Sequence, residues 1–288
     1  MTTATPDVIA VREAGGTWAD DLRAIKVVWQ RELIRFGQSR VRILTSLAQP
    51  MIYLFVLGGG LSRVVPAADA ADVDFRTFMF PGVLAMTILF TSIFSAVSIV
   101  WDREFGFLRE MLVAPVRRGA ILFGKCLGGA TVATLQGSLM LVVAGFVHIP
   151  YSPALLVVLL AEMALTAFVL TAFGMLVASR IAQVESFQFV MQLFVMPMFF
   201  LSGAVFPLHG LPRWLTVLTK IDPLSYAVDP MRRAIFDRID APPVLVRALN
   251  PGITWNGWRL PTLVELAAAA GLGAIALAIA IWRFARTE

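Results

Sequence analysis

Charge is scarce in this chain. Of its 288 residues only 15% are Asp, Glu, Lys or Arg, against 58% that are hydrophobic. Together with a mean hydropathy of +0.79, this excludes an ordinary soluble globular domain. Cysteine is nearly absent as well: the single Cys126 cannot close an internal disulfide and reads as a small packing residue. With only His148 and His209 beside it, no metal-ligand spacing exists. The chain also lacks a G-x-S-x-G elbow, an H-E-x-x-H helix or any other recognisable catalytic set, so no chemistry and no cofactor is expected on it. The opening MTTATPDVIAV has no basic region leading into a short apolar core and does not read as a cleavable signal peptide; the first apolar run is expected to act as its own insertion signal.

One apparent nucleotide motif is rejected. Residues 119–126 read GAILFGKC, one residue from the phosphate-binding G-x-x-x-x-G-K-[ST] pattern. Cys126 offers no hydroxyl to Mg²⁺, and AILF is apolar where such a loop wraps an anion. A net charge of +5 and a pI near 10.0 come without any nucleic-acid motif, because the basic residues are spread along membrane flanks, where anionic lipid headgroups account for them.

What the sequence does have is long apolar runs. Six are long enough to cross a bilayer: 43–61, 78–100, 119–147, 155–179, 187–206 and 263–284. Hydrocarbon leaves unpaired backbone groups no partner, and the runs lack period-2 alternation, so the expected fold is all-α. The third run exceeds one crossing, and its start, around 118–125, is expected in the interface. Domain boundaries follow: an N-terminal segment 1–42, a six-helix domain 43–284 and a tail 285–288.

Orientation follows from Lys and Arg near the spans. Arg23, Lys26, Arg31, Arg35, Arg40 and Arg42 precede the first run, and Arg103, Arg109, Arg117 and Arg118 fill the second loop. Both termini are therefore expected in the cytoplasm, with the chain a multi-pass protein of the cytoplasmic (inner) membrane. The segment 207–261 breaks the pattern with several basic residues that would lie outside, but long segments follow the rule poorly.

Two amphipathic stretches stand out. Trp18, Leu22, Ile25, Trp29, Leu33 and Phe36 recur every three or four residues, while Asp20, Arg23, Lys26 and Arg31 fall largely elsewhere, as in a helix lying flat in the inner interface. Within 101–118, Trp101, Phe105, Leu108 and Leu112 share a helical face, with Asp102, Arg103, Arg109 and Glu110 mostly off it and Pro115 ending the helix. Periodicity leaves two readings of this loop open: an apolar ridge offered to a partner's groove, or a solvated connector anchored at the interface.

Here the residues carry a resemblance. The stretch WDREFGFLREMLVAPVRRGAILFGK and the later SGAVFPLHGLPRWLTVLTKIDPLSYAVDPMRR resemble the type 2 ATP-binding-cassette exporter permease family over nearly the whole chain. In that family a Glu-x-Gly-x-Leu turn opens the cytoplasmic loop, matched by Glu104, Gly106 and Leu108. The later signature is matched by Ser202, Gly203, Pro207, Leu211, Pro212, Trp214, Pro223, Leu224, Tyr226, Asp229 and Arg232. The resemblance implies a permease that exports a hydrophobic or amphipathic substrate, pairs with a second like or unlike copy, and engages two separate ATPase subunits that bind the ATP and Mg. The coupling residues would be Arg103, Glu104, Phe105, Gly106, Leu108, Arg109 and Glu110. It further implies that 207–262 folds into short helices re-entering the outer membrane, broken by Pro207, Pro212, Pro223 and Pro230. The run 241–261 is not accounted for.

A substrate pathway could use the soft apolar surfaces of Met191, Phe194, Met196, Met198 and Phe199 in the fifth span and Met86 and Phe90 in the second; ordinary lipid-facing or packing roles are the alternative. Glu162 and Glu265, ionisable and within spans, are either functional or snorkel to the interface. Gly124 and Gly128 form a small-xxx-small pair suited to close packing. A passive channel is the competing function, but only Gln49, Gln136, Gln188 and Gln192 offer scattered polarity to line it.

Overall fold

The computed structural model describes residues 17–62, 75–106, 116–147, 149–208, 210–239, 249–255 and 258–287. Ten α-helices order the described chain: α1 Trp18–Gln38, α2 Arg40–Ile52, α3 Gly58–Ser62, α4 Phe75–Glu104, α5 Arg118–Leu141, α6 Pro153–Ala178, α7 Val184–Leu201, α8 Arg213–Ile221, α9 Ser225–Phe236 and α10 Thr262–Thr287. Six segments are long and apolar enough to cross a membrane: Ile43–Gly60, Phe75–Glu104, Arg118–Val147, Pro153–Ala178, Val184–Leu201 and Thr262–Ala285. They coincide with the six apolar runs, although the fifth ends at Leu201, where Ser202 and Gly203 turn the chain, instead of continuing to Phe206.

Span two, α4, is the hub. It packs against α5, α6 and α7, and more lightly against α2 and α9. In its most apolar window 72% of residues are buried, against 17% for span one and 28% for span five. Its core contains Phe78, Leu84, Ile88 and Ile93, none of them exposed. Span one is irregular for a local reason: Pro50 cannot donate to the carbonyl four residues back, and the helix relaxes into a π-turn over Tyr53–Leu57 before α3.

The all-α expectation needs one small addition. Thr254–Trp255 and Trp258–Arg259 pair antiparallel as a two-stranded hairpin between α9 and α10. It lies in the stretch for which the sequence offered no account.

The bundle has two distinguishable ends. One gathers α1, the C-terminus of α4, the start of α5, the 178–184 turn and the end of α10, where the Arg118 guanidinium donates to the Ala285 carbonyl at 3.3 Å. The other carries α3, the start of α4, the 147–153 connection, α8, α9 and the hairpin.

Candidate functional site

α1 begins with a capping box. Asp20 N–H bonds Thr17 Oγ1 at 3.3 Å, and the Asp20 carboxylate accepts from Thr17 N–H at 3.1 Å and its hydroxyl at 2.7 Å. These Thr17 bonds hold the Asp20 carboxyl below its ordinary pKa. The helix then packs along α5. A Cβ on Gly124 would stand 3.0 Å from the Ile25 carbonyl oxygen, and one on Gly128 2.7 Å from Glu32 Cβ. The small-xxx-small pair is therefore the seat of α1, and Trp29 Nε1–H closes it with a 3.0 Å bond to Thr131 Oγ1.

The seated face differs from the apolar stripe expected for this helix. Asp21, Ile25, Val28 and Glu32 turn toward the bundle, whereas Trp18 and Leu22 stay 74% and 66% exposed. Asp21, itself buried, accepts from Arg117 N–H at 3.0 Å and pairs with its guanidinium at 3.4 Å, while that guanidinium lies 4.6 Å above the Trp18 ring. The far end of the second loop is thus fastened to α1.

Beneath α1 lies a buried ion cluster. Lys125 of α5, 2% exposed, contacts Asp102 of α4 at 2.5 Å and Glu32 of α1 at 3.6 Å, and donates to Ser98 Oγ at 3.2 Å. Arg31 reaches Asp102 at 3.2 Å and Glu32 at 3.7 Å. Three helices share one set of charges that burial would make costly if any were unpaired. The lysine of the rejected phosphate-loop pattern thus serves as an internal counter-ion. Glu32 was missed by the sequence reading, and so was the role of Asp102; a lysine interrupting an apolar run was the available signal.

The near end of the second loop is fastened too. Arg103 donates to the carbonyls of Ala178 and Ile181 at 3.2 and 3.0 Å, and Glu104 accepts from Val184 N–H at 2.9 Å. A cation on the carbonyls at and just past the end of α6 and an anion on the first amide of α7 match the polarity of those helix ends. Trp101 belongs to the last turn of α4, which stops at Glu104; Gly106, at φ 80°, then turns the chain in a conformation glycine adopts without strain. The helix that contains Trp101 therefore ends before Gly106. Phe105 is 66% exposed beside that turn. Leu108, Arg109, Glu110 and Leu112 lie outside the described residues.

At the opposite end the later signature forms a brace. Arg232, 3% exposed, donates to the Gly203 carbonyl at 2.5 Å and lies 4.3 Å over the Phe78 ring, tying α9 to α7 and α4. Tyr226 O–H bonds the Lys220 carbonyl at 2.8 Å, and Pro212 caps α8. The Asp222 carboxylate accepts from Leu224 N–H and Ser225 O–H, both at 3.1 Å, across Pro223; burial pushes this carboxyl up to about 7. Pro207 lies in the turn ahead of α8, and Trp214 is 65% exposed. Arg233 joins Asp229 to Glu265 at 2.8 Å and donates to the Leu260 carbonyl at 2.7 Å. Glu265 is thus fully buried and paired, not snorkelling. Glu162 is also buried, with Oε2 unbonded among the described residues.

Of the proposed pathway residues, Met86, Met191, Met198 and Phe199 are core residues, and Phe194 is 42% exposed with its ring edge-on to Phe173. Phe90 lines a cavity between α1, α2, α4 and α5.

Residues 23–236 match the ABC-2 type transporter family, a span that takes in most of α1, five of the six spans and the α9 brace. The chain belongs to that family. It is the membrane permease component of an ABC transporter, a multi-pass protein of a family that works with ABC ATPase subunits. It is 31% identical to Nodulation protein J of Rhizobium leguminosarum bv. viciae over 83% of this chain and 91% of that one. It is 26% identical to the putative transport permease ycf38 of Cyanophora paradoxa over 73% of each. It is also 27% identical to the probable multidrug ABC transporter permease YbhR of Escherichia coli K12, over 72% of this chain and 53% of that one.

Proposed function

We propose that this permease exports a hydrophobic or amphipathic substrate from the cytoplasmic membrane, as one of two copies, alike or unlike, driven by two ATPase subunits. The α1 end faces the cytoplasm, and the second loop receives the ATPase. The observation that carries this reading is that both ends of that loop are anchored: Arg103 and Glu104 hold the α6–α7 turn, and Arg117 holds Asp21 of α1. A displacement of the loop would be delivered at once to spans two, three, four and five through rigid helix ends. The N-terminal helix would lie against the inner interface by its exposed Trp18 and Leu22, and α8, α9 and the hairpin would dip into the outer leaflet with Trp214, Trp255 and Trp258 at its boundary.

The test is ATPase activity of the bilayer-reconstituted complex with its ATPase, across a panel of amphiphiles and lipids. Export coupling predicts that Leu108→Asp abolishes stimulation while insertion and assembly persist. A chain that purifies without an ATPase and passes solute without nucleotide would instead be a passive channel.

A further inference from the structure

The segment 207–261 carries its basic residues on the side of the membrane where Lys and Arg are least favoured. The fold treats its acids and its bases differently. Asp222, Asp229 and Glu265 are buried and bound internally, the first to Leu224 N–H and Ser225 O–H, the other two to Arg233. Arg232 and Arg233 are likewise tied inward. Arg213, Arg238 and Arg259 stay exposed and Lys220 is half-buried, whereas Asp237 is the one exposed acid at this end among the described residues. The surface that remains is therefore cationic.

These cations border a continuous apolar face. On α8, Trp214, Val217, Leu218 and Ile221 fall at i, i+3, i+4 and i+7 and are all exposed, while Thr219 on the other side of the helix is buried. Arg213 opens the helix and Lys220 stands in its last turn. The Lys220 ammonium lies 5.4 Å over the Trp255 ring, which joins α8 to the hairpin, where Trp255 and Trp258 are cross-strand partners and both exposed. α8 and the hairpin connect the end of span five at Leu201 to the start of span six at Thr262, the level at which a bilayer passes from acyl chains to headgroups. Tryptophan rings settle at that level. A second copy of this chain is a poor cover for the patch, because a two-fold contact through it would set Arg213 and Lys220 against cations of the same surface. Lipid with an anionic headgroup complements both the stripe and its charge.

We infer that α8 and the hairpin form a docking surface for anionic phospholipid: Trp214, Val217, Leu218 and Ile221 lie among the acyl chains, and Arg213, Lys220 and Arg259 hold the headgroup phosphates. The lipid is a fixture of the membrane around the permease, not its cargo. The inference rests on the export reading only in calling this leaflet the outer one.

The test uses the full-length chain carrying Cys126→Ala and Val217→Cys, labelled at position 217 with the fluorophore NBD and placed in phosphatidylcholine nanodiscs without ATPase. Quenching is titrated with spin-labelled lipids of identical chains, one a phosphatidylglycerol and one a phosphatidylcholine. The phosphatidylglycerol should reach half-quenching at a mole fraction roughly fivefold lower or less, the factor expected of a single cation near an anionic surface. The preference should collapse in about 1 M NaCl, where the screening length falls to ~3 Å. It should also collapse in Arg213→Gln/Lys220→Gln and persist in Lys220→Arg. Unchanged quenching by phosphatidylcholine in the double variant shows that α8 is still seated. If that quenching is lost, Arg259→Gln decides alone: it keeps a donor for the Asn250 carbonyl that Arg259 now bonds at 3.2 Å, and it should reduce the preference from the hairpin side. Equal quenching by the two lipids, quenching by neither because protein covers the face, or a preference that survives both salt and the glutamine substitutions overturns the assignment. The two faces of a nanodisc are alike and no ATPase is present, so the result is independent of the bundle's orientation and of the coupling test.

Discussion

Lys125 shows how much one residue can organise. It sits in an apolar run, and its ammonium is held by Asp102 and Glu32 from two other helices. Removing it alone takes from Asp102 and Glu32 their one buried cation and leaves them the partly exposed Arg31 and Arg35; breaking a buried pair on one side costs about 3 to 5 kcal/mol. Lys125→Met should therefore lower the thermal midpoint of the detergent-purified permease. Adding Asp102→Leu should recover most of the loss, because an apolar replacement of both partners leaves no orphan charge and Glu32 keeps Arg31 and Arg35. A double variant no more stable than the single one would show that Asp102 matters for something other than Lys125. Asp222 makes a prediction of the opposite sign. Burial raises its carboxyl from an ordinary 3.8 to about 7, so between those values the native state holds more protons than the unfolded one. Its contribution to stability accordingly declines as pH rises through that window and levels off above it. Asp222→Asn keeps an acceptor for Leu224 N–H and should raise the midpoint more at about pH 8 than at about pH 5; an equal gain at both would refute the linkage.

Among the helices, α1 depends on the absence of side chains opposite it. Gly124→Leu or Gly128→Leu would place branched carbons where Ile25, Val28 and Glu32 now lie, lifting α1 from α5 and opening the ion cluster. Amide exchange across α1 should rise in these variants while α6 and α10 stay protected, and a uniform rise would mean global unfolding instead. The caps at the α6–α7 turn give a milder forecast. Arg103→Ala and Glu104→Gln each remove a charged cap, and Glu104→Gln should cost under about 1 kcal/mol, since a neutral acceptor remains for Val184 N–H. The elements themselves were legible in the sequence because apolar length and helical period are local properties. The brace residues were legible by motif, though not their geometry. What could not be read was the partner of each charge. Glu32, Asp102 and Lys125 are 70 and 23 residues apart along the chain, and only the packing of three helices shows that they neutralise one another. The rotation of α1 was hidden for the same reason: an acid at position 21 or 32 looks like a solvated-face residue until Arg117 and Lys125 are placed beside it. The hairpin at 254–259 is too short for strand periodicity to register.

At the scale of the whole molecule, six crossings put α1 and the tail at one end of the bundle, and α8, α9 and the hairpin at the other. The distribution of charge gives these ends different characters. The α1 end holds Arg23, Arg31, Arg35, Arg103, Arg117, Arg118 and Arg180 around the anchored loop, whereas the opposite end ties Arg232 and Arg233 into internal bonds and exposes Trp214, Trp255 and Trp258 beside Arg213, Arg238 and Arg259. Cationic side chains near short loops favour the cytoplasmic side, which supports the proposed orientation with the anchored loop inside. In a Cys126→Ala chain, Thr254→Cys, exposed on the hairpin, should react with a membrane-impermeant maleimide in cells whose outer barrier alone has been breached. Thr17→Cys, exposed at the start of α1, should react only after the cytoplasmic membrane is opened. The reverse pattern would turn the bundle over and place the loop held by Arg103, Glu104 and Arg117 beyond the reach of any cytoplasmic ATPase. Labelling of both from one side would mean an even number of crossings between them, where the structure has five, and with it a different fold.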